Sequence, residues 1–86
     1  MRNPRAFTDR FLSSLKPAAK RYDVLDPARR GLMLRVTATG TKTFFFRYQR
    51  RGQIDRLTLG RYPTTSLREA YEAHAELTKR LNRGED

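Results

Sequence analysis

The 86-residue chain has no cysteine, a single histidine, and no run of more than three apolar residues. Without cysteine it has neither a disulfide framework nor a thiolate metal site, and a reducing compartment suits it. The longest apolar runs are Leu32 to Leu34 and Phe44 to Phe46. Both fall far short of the roughly 20 residues that a membrane helix requires, so no membrane span or signal peptide is expected. The expectation is a soluble, cytoplasmic protein. The lone His74 falls on an apolar helical stripe and reads as a core or edge residue rather than a base. No His, Cys and carboxylate cluster has metal-binding spacing. Ser13-Ser14 has no partner base, and Gly60-Arg61 lacks the glycine density of a phosphate loop. A chain that is not an enzyme and holds no metal or cofactor is expected.

Negative charge is the other shortage. Nineteen Lys and Arg stand against nine Asp and Glu, for a formal net charge of +10, which points to an anionic partner. Residues 1–65 hold fifteen basic and four acidic residues, net +11, whereas residues 66–86 hold four and five, net −1. The positive field therefore belongs to the first three quarters of the chain.

That part contains an alternating pattern from Leu32 to Gly60, the mark of strands with one buried and one open face. Three runs qualify: Leu32 to Thr37, Lys42 to Arg50, and Gln53 to Leu59. Arg51-Gly52 suits a two-residue hairpin turn. It pairs Gln49 with Ile54, Arg47 with Arg56, Phe46 with Leu57 and Phe44 with Leu59. For the first hairpin, a two-residue Thr39-Gly40 loop would mix the faces. A three-residue loop, Thr39 to Thr41, sets Val36 against Phe44 and Leu34 against Phe46. The expected buried face is Leu32, Leu34, Val36, Phe44, Phe46, Tyr48, Leu57 and Leu59. The expected open face is Met33, Arg35, Thr37, Thr43, Phe45, Arg47, Gln49, Ile54, Arg56 and Thr58, with no carboxylate among them. Like charges opposed across strands are unfavourable unless something offsets them, and a polyanion would. An exposed Phe45 among arginines is more than solubility requires.

The flanks complete one small domain. Met1 to Ala6 is polar and could act as an arm. Thr8 is an N-cap candidate for a short helix ending near Lys16, with Phe7 stapled to Leu12 and Phe11, Leu12 and Leu15 inward. Pro17 disfavours its continuation. Lys20 to Asp26 alternates weakly and is a candidate short fourth strand at the sheet edge, with Asp23 and Asp26 as turn and salt-bridge residues. Arg29 and Arg30 fall at the sheet rim. Ser66 and Glu69 form a capping box. The helix it opens runs to about Asn82, with Leu67, Ala70, Tyr71, His74, Leu77, Thr78 and Leu81 toward the sheet and Glu76 and Arg80 paired outside. Gly84 to Asp86 reads as a linker. The fold class is α+β: a three-stranded antiparallel sheet, with the candidate fourth strand, packed on a C-terminal helix, plus a short N-terminal helix.

A sheet or β-ribbon fits the major groove of B-DNA, where Arg bonds guanine and Gln bonds adenine. Arg35, Arg47, Gln49 and Arg56 are the candidate base readers. Thr37, Thr43 and Thr58 suit phosphate or thymine-methyl contact, and Phe45 a thymine methyl or sugar. Lys42, Arg50, Arg51 and Arg61 at the rim suit phosphates. Two alternatives stand beside this. Helix, three strands and helix is also the order of double-stranded RNA-binding domains, but the acidic second helix here, with Glu69, Glu72 and Glu76, opposes their mode of contact. A protein-interaction module would use Met33, Phe45 and Ile54 as a patch.

The run Leu32-Met33-Leu34-Arg35-Val36, then Gly40-Thr41-Lys42, Phe46-Arg47-Tyr48, Leu57-Thr58-Leu59-Gly60-Arg61-Tyr62-Pro63 and Ser66-Leu67-Arg68-Glu69-Ala70 resembles the N-terminal arm-binding domain of phage and genomic-island integrases, of the tyrosine recombinase family. Thr8-Asp9 and Lys16-Pro17 match the family's opening, so the resemblance covers nearly the whole chain. It implies a domain spanning residues 1–86 that grips double-stranded DNA at arm-type attachment sites with its sheet in the major groove. The implied setting is a bacterial or phage-encoded chain on DNA. Residues 83–86 would begin a linker to the rest of the integrase chain, and the isolated domain would be a monomer. The catalytic arginines, histidine and tyrosine lie in a later domain, so Tyr22, Tyr48, Tyr62 and Tyr71 inherit no such role. Phe44-Phe45-Phe46 departs from the usual tryptophan-plus-aliphatic pattern.

Overall fold

The computed structural model describes residues 6–82. All but Ala6 of the N-terminal arm expected at Met1 to Ala6, and the linker expected at residues 83–86, lie outside these. The chain runs helix α1 (Asp9–Ser14), strands β1 (Tyr22–Leu25), β2 (Leu32–Val36), β3 (Lys42–Arg50) and β4 (Gln53–Tyr62), then helix α2 (Leu67–Asn82). The strands form one antiparallel sheet in the order β1-β2-β3-β4. The fold is α+β, and the weakly alternating stretch is a genuine fourth strand.

Each local signal acts through ordinary chemistry. Thr8 caps α1 by accepting from the Phe11 amide at 3.1 Å. Arg51 (φ 51°) and Gly52 (φ 80°) both take positive φ between Arg50 and its partner Gln53, as a two-residue hairpin matching strand twist requires. Ser66 and Glu69 close the capping box reciprocally, at 2.9 and 3.1 Å. Hydrogen bonding from Ser66, its amide first and its hydroxyl second, holds the Glu69 carboxyl below its ordinary value. Arg80 and Glu76 pair at 3.5 Å and Arg68 and Glu72 at 3.7 Å along α2.

Both helices cover one side of the sheet. Phe7, Leu12, Leu32, Leu34, Val36, Phe44, Leu67 and Ala70 form the buried core, with Phe11, Leu15, Tyr22, Val24, Leu59, Tyr62 and Tyr71 packed around it. Phe7 stacks on Phe11, with ring centroids 6.3 Å apart, while Leu12 is fully buried. His74 lies edge-on to Phe46 and bonds the Arg30 carbonyl at 2.7 Å, so it is a core residue. The buried Asp26 accepts from the Ala28 amide at 2.9 Å and the Phe7 amide at 3.4 Å, and pairs with Arg29 at 3.7 Å. Arg29 lies over the Tyr71 ring. The Tyr71 hydroxyl, raised in pKa chiefly by burial and then by Asp26, donates to the Phe7 carbonyl. One polar cluster thus joins the N-terminal segment, the β1–β2 turn and α2.

Three expectations are corrected. Val36 pairs with Lys42, Leu34 with Phe44 and Leu32 with Phe46, two residues away from the expected register. The loop keeps three residues but sits one residue earlier, Ala38 to Gly40, because Thr37 pairs with Thr41: its amide donates to the Thr41 carbonyl at 2.9 Å, and its Oγ1 accepts from the Thr41 amide at 3.0 Å. A slip of two preserves the faces. Second, a β-bulge interrupts β3–β4, so that Phe45 pairs with Thr58 but Phe44 pairs with Gly60, leaving Leu59 as the extra residue. Third, Leu57 is 43% exposed, because β4 is a sheet edge with no further strand beside it.

Candidate nucleic-acid interface

The sheet side away from the helices is open, and the register assembles it in rows. Asp23, Arg35, Thr43 and Arg61 form one row across the four strands, and Leu25, Met33, Phe45 and Thr58 the next. Arg47 and Arg56 follow, then Gln49 and Ile54. β3 and β4 outrun β2, whose ladder with β3 ends at Phe46. Beyond it, one further bond from the Arg47 amide to the Gly31 carbonyl, 2.8 Å, ties the ribbon down.

The bulge decides where Arg61 goes. Alternation without it would turn Arg61 toward the helices, since Thr58 already faces out. One extra residue resets the parity and sets Arg61 opposite Thr43. Arg61 therefore joins the open face itself, beyond the rim expected from the sequence.

Arg47 and Arg56 are directly opposite and both exposed. Among the described residues neither has an acidic partner. Gln49, Thr58 and Arg51 are exposed and Thr43 half-buried. A hollow of about 290 Å³ lies at this end of the face, between Leu25, Met33, Ile54, Arg30 and Arg47. These groups offer hydrogen-bond donors on one face of the sheet.

Several expected site residues are placed differently. Phe45 is 5% exposed: it is enclosed by its cross-strand neighbours Met33 and Thr58 and by Arg35, whose guanidinium carbon lies 5.1 Å from the ring centre. The patch of Met33, Phe45 and Ile54 is thereby broken up, and the large apolar groups left exposed on that face are Leu25 and Ile54. Lys42 shares the parity of Phe44 and points to the helices. Its Nζ donates to the carbonyls of Leu12 at 2.7 Å and Ser13 at 3.4 Å, closing the C-terminus of α1. Arg50 has the same parity, beside the turn. Thr37 is occupied in closing its loop.

The expectation of an open face without carboxylates also fails. Asp23 stands opposite Arg35 and accepts from its Nε at 2.9 Å and its Nη2 at 3.3 Å. That hydrogen bond, more than any other effect, raises the Arg35 pKa. The signal was available in parity, because Tyr22 and Val24 facing inward oblige Asp23 and Leu25 to face outward.

Three of the four tyrosines are tied into the scaffold by their hydroxyls. Tyr22 donates to the Lys16 carbonyl at 2.7 Å, Tyr62 to Asp9 Oδ1 at 3.0 Å, and Tyr71 to Phe7. Among the described residues no group of three or more His, Cys, Asp or Glu could hold a metal ion, and no helix is long and apolar enough to cross a membrane.

No curated protein matches the chain. A family model described as an arm DNA-binding domain matches residues 7–86, which takes in both helices, all four strands and the basic open face. The chain belongs to the arm DNA-binding domain family.

Proposed function

We propose that the chain recognises specific duplex DNA at the arm-type sites of an attachment region, with the open sheet face in the major groove, as the N-terminal domain of a site-specific integrase. One observation carries the proposal: Arg47 and Arg56 are opposed across β3–β4, exposed and without acidic partners among the described residues. Such a pair is unfavourable in the free protein and favourable against phosphates and guanine edges. Arg61 and Gln49 extend the same donor surface. The charge asymmetry agrees, since α2 on the far side is close to neutral. Its first turns commit Arg68 to Glu72, which counts against a double-stranded RNA-binding mode led by that helix.

In this function the domain carries no catalysis of its own. It tethers a tyrosine recombinase to accessory DNA in the bacterial cytoplasm, as a monomer occupying residues 1–86, and residues 83–86 lead toward the core-binding and catalytic parts. Fluorescence anisotropy against duplexes from the flanks of an attachment site, with scrambled controls at two salt concentrations, tests it. Tighter binding to one repeated flank sequence, surviving the higher salt, is expected. Arg47→Ala and Arg56→Ala should each weaken that binding by about 1–3 kcal/mol. Equal binding to every duplex, vanishing with salt, would reduce the face to a non-specific basic surface.

A further inference from the structure

Asp23 is an unexpected residue for a DNA-facing surface. It is the one carboxylate among the described strand residues of the open face, and a carboxylate there repels every phosphate. Its geometry indicates a compensating use. Arg35 spends its Nε and Nη2 donors on the two carboxylate oxygens, at 2.9 and 3.3 Å. These donors occupy one edge of the planar guanidinium. Nη1 and the outer N–H of Nη2, the end-on fork, have no protein partner among the described residues. That fork is the edge that donates in parallel to O6 and N7 of guanine. The ring of Phe45, itself buried, lies against the same guanidinium at 5.1 Å.

We propose that Arg35 reads a guanine and that Asp23 and Phe45 are positioning residues, fixing its guanidinium with the free fork outward. The proposal rests on the DNA-binding function proposed above. A free surface arginine gives up its rotamer freedom only when it binds. Arg35 has given it up on folding, so its contact with the base is preorganised. The carboxylate also sharpens discrimination: it weakens attachment to any duplex and is outweighed only where guanine meets the fork.

Asp23 therefore has opposite effects on specific and non-specific binding, and an electrostatic role alone could not produce that split. The test uses the 86-residue chain, the preferred flank duplex, a scrambled duplex, and copies of the preferred duplex with one guanine at a time replaced by 7-deazaguanine, which lacks N7. Wild type should lose of the order of tenfold in affinity at one such position, and Arg35→Ala should abolish that loss. Asp23→Ala should shrink it to within about twofold at the same position while binding the scrambled duplex more tightly. Phe45→Leu changes no charge and should shrink the penalty while leaving scrambled binding unchanged. Should Phe45→Leu fail to fold by circular dichroism, Asp23→Ala, at an exposed edge-strand position, decides alone. An Asp23→Ala chain that keeps the full 7-deazaguanine penalty, or gains equally on target and scrambled duplexes, overturns the positioning role and leaves the DNA-binding function standing. Wild type that binds target and scrambled duplexes alike overturns both.

Discussion

Replacing Gly31 by alanine isolates the contact that seats Arg47. Gly31 has φ +87°, and a Cβ there would lie 2.5 Å from the Arg47 carbonyl oxygen and 2.8 Å from Phe46 Cε1. The Arg47 oxygen is backbone and cannot swing aside, so relief must come from moving β3 away from residue 31. That movement strains the 2.8 Å bond from the Arg47 amide to the Gly31 carbonyl, worth about 1 kcal/mol. It also repacks Phe46, at about 1–3 kcal/mol. The positive φ adds about 1–2 kcal/mol, so the whole cost is about 3–6 kcal/mol. Gly52 is the internal control: its φ is +80°, but a Cβ there meets nothing within 4 Å, so Gly52→Ala carries the φ cost alone. A domain of this size has about 4–13 kcal/mol of stability in total. The difference of about 2–4 kcal/mol between the variants corresponds to melting temperatures separated by roughly 10 °C or more. Thermal unfolding followed by circular dichroism measures it, and anisotropy on the preferred duplex should show a loss for Gly31→Ala only. Equal melting temperatures would refute the close-approach argument, leaving only the backbone angle.

Lys42→Ala should lower stability by about 1 kcal/mol, through the uncapped end of α1, and leave the salt slope of DNA binding unchanged. A slope shallower by about 0.9, the share of one phosphate contact, with unaltered melting, would return Lys42 to the DNA. Ser66→Ala should cost about 1 kcal/mol by opening the capping box. Glu69 has a lowered folded pKa relative to an ordinary 4.5. Its support for α2 is therefore present above 4.5 and lost as pH falls through the lowered value. Melting curves between about pH 7 and pH 3 should show a smaller acid loss in Ser66→Ala, and identical pH profiles would argue against the coupling.

Much of this fold was legible locally. The Arg51-Gly52 turn fixed β3 against β4 through Gln49 and Ile54, and the capping box fixed the start of α2. Alternation alone assigned most side chains to their faces, and it did so even where pairing was wrong, because the Thr37-closed loop slips the register by two. The β-bulge at Leu59 was missed because the strand was expected to end there; its local mark is Gly60, inside β4 at φ +146°. The sheet-face arginines were visible, but their partners were not. Asp23 meets Arg35 only through the β1–β2 pairing, twelve residues apart. Phe45 is buried by neighbours on β2 and β4, a tertiary effect that no window of sequence displays. Lys42 was the avoidable miss, for its parity with Phe44 and Phe46 already turned it from the open face.

The unequal strand lengths give the open face two mechanical characters. Asp23, Arg35, Thr43 and Arg61 cross all four strands over a packed core, whereas Gln49, Ile54 and Arg51 ride on a two-stranded ribbon, an arrangement marginally stable by itself. Amide hydrogen exchange should be slowest through Leu34 and Phe44 and fastest beyond Arg47; uniform protection along β3 would contradict this. In the proposed complex one end of the surface would be a rigid template that selects DNA by fit. The other would be a compliant tip that follows the groove as its width varies, so mismatches should be rejected sharply under the template and tolerated under the tip.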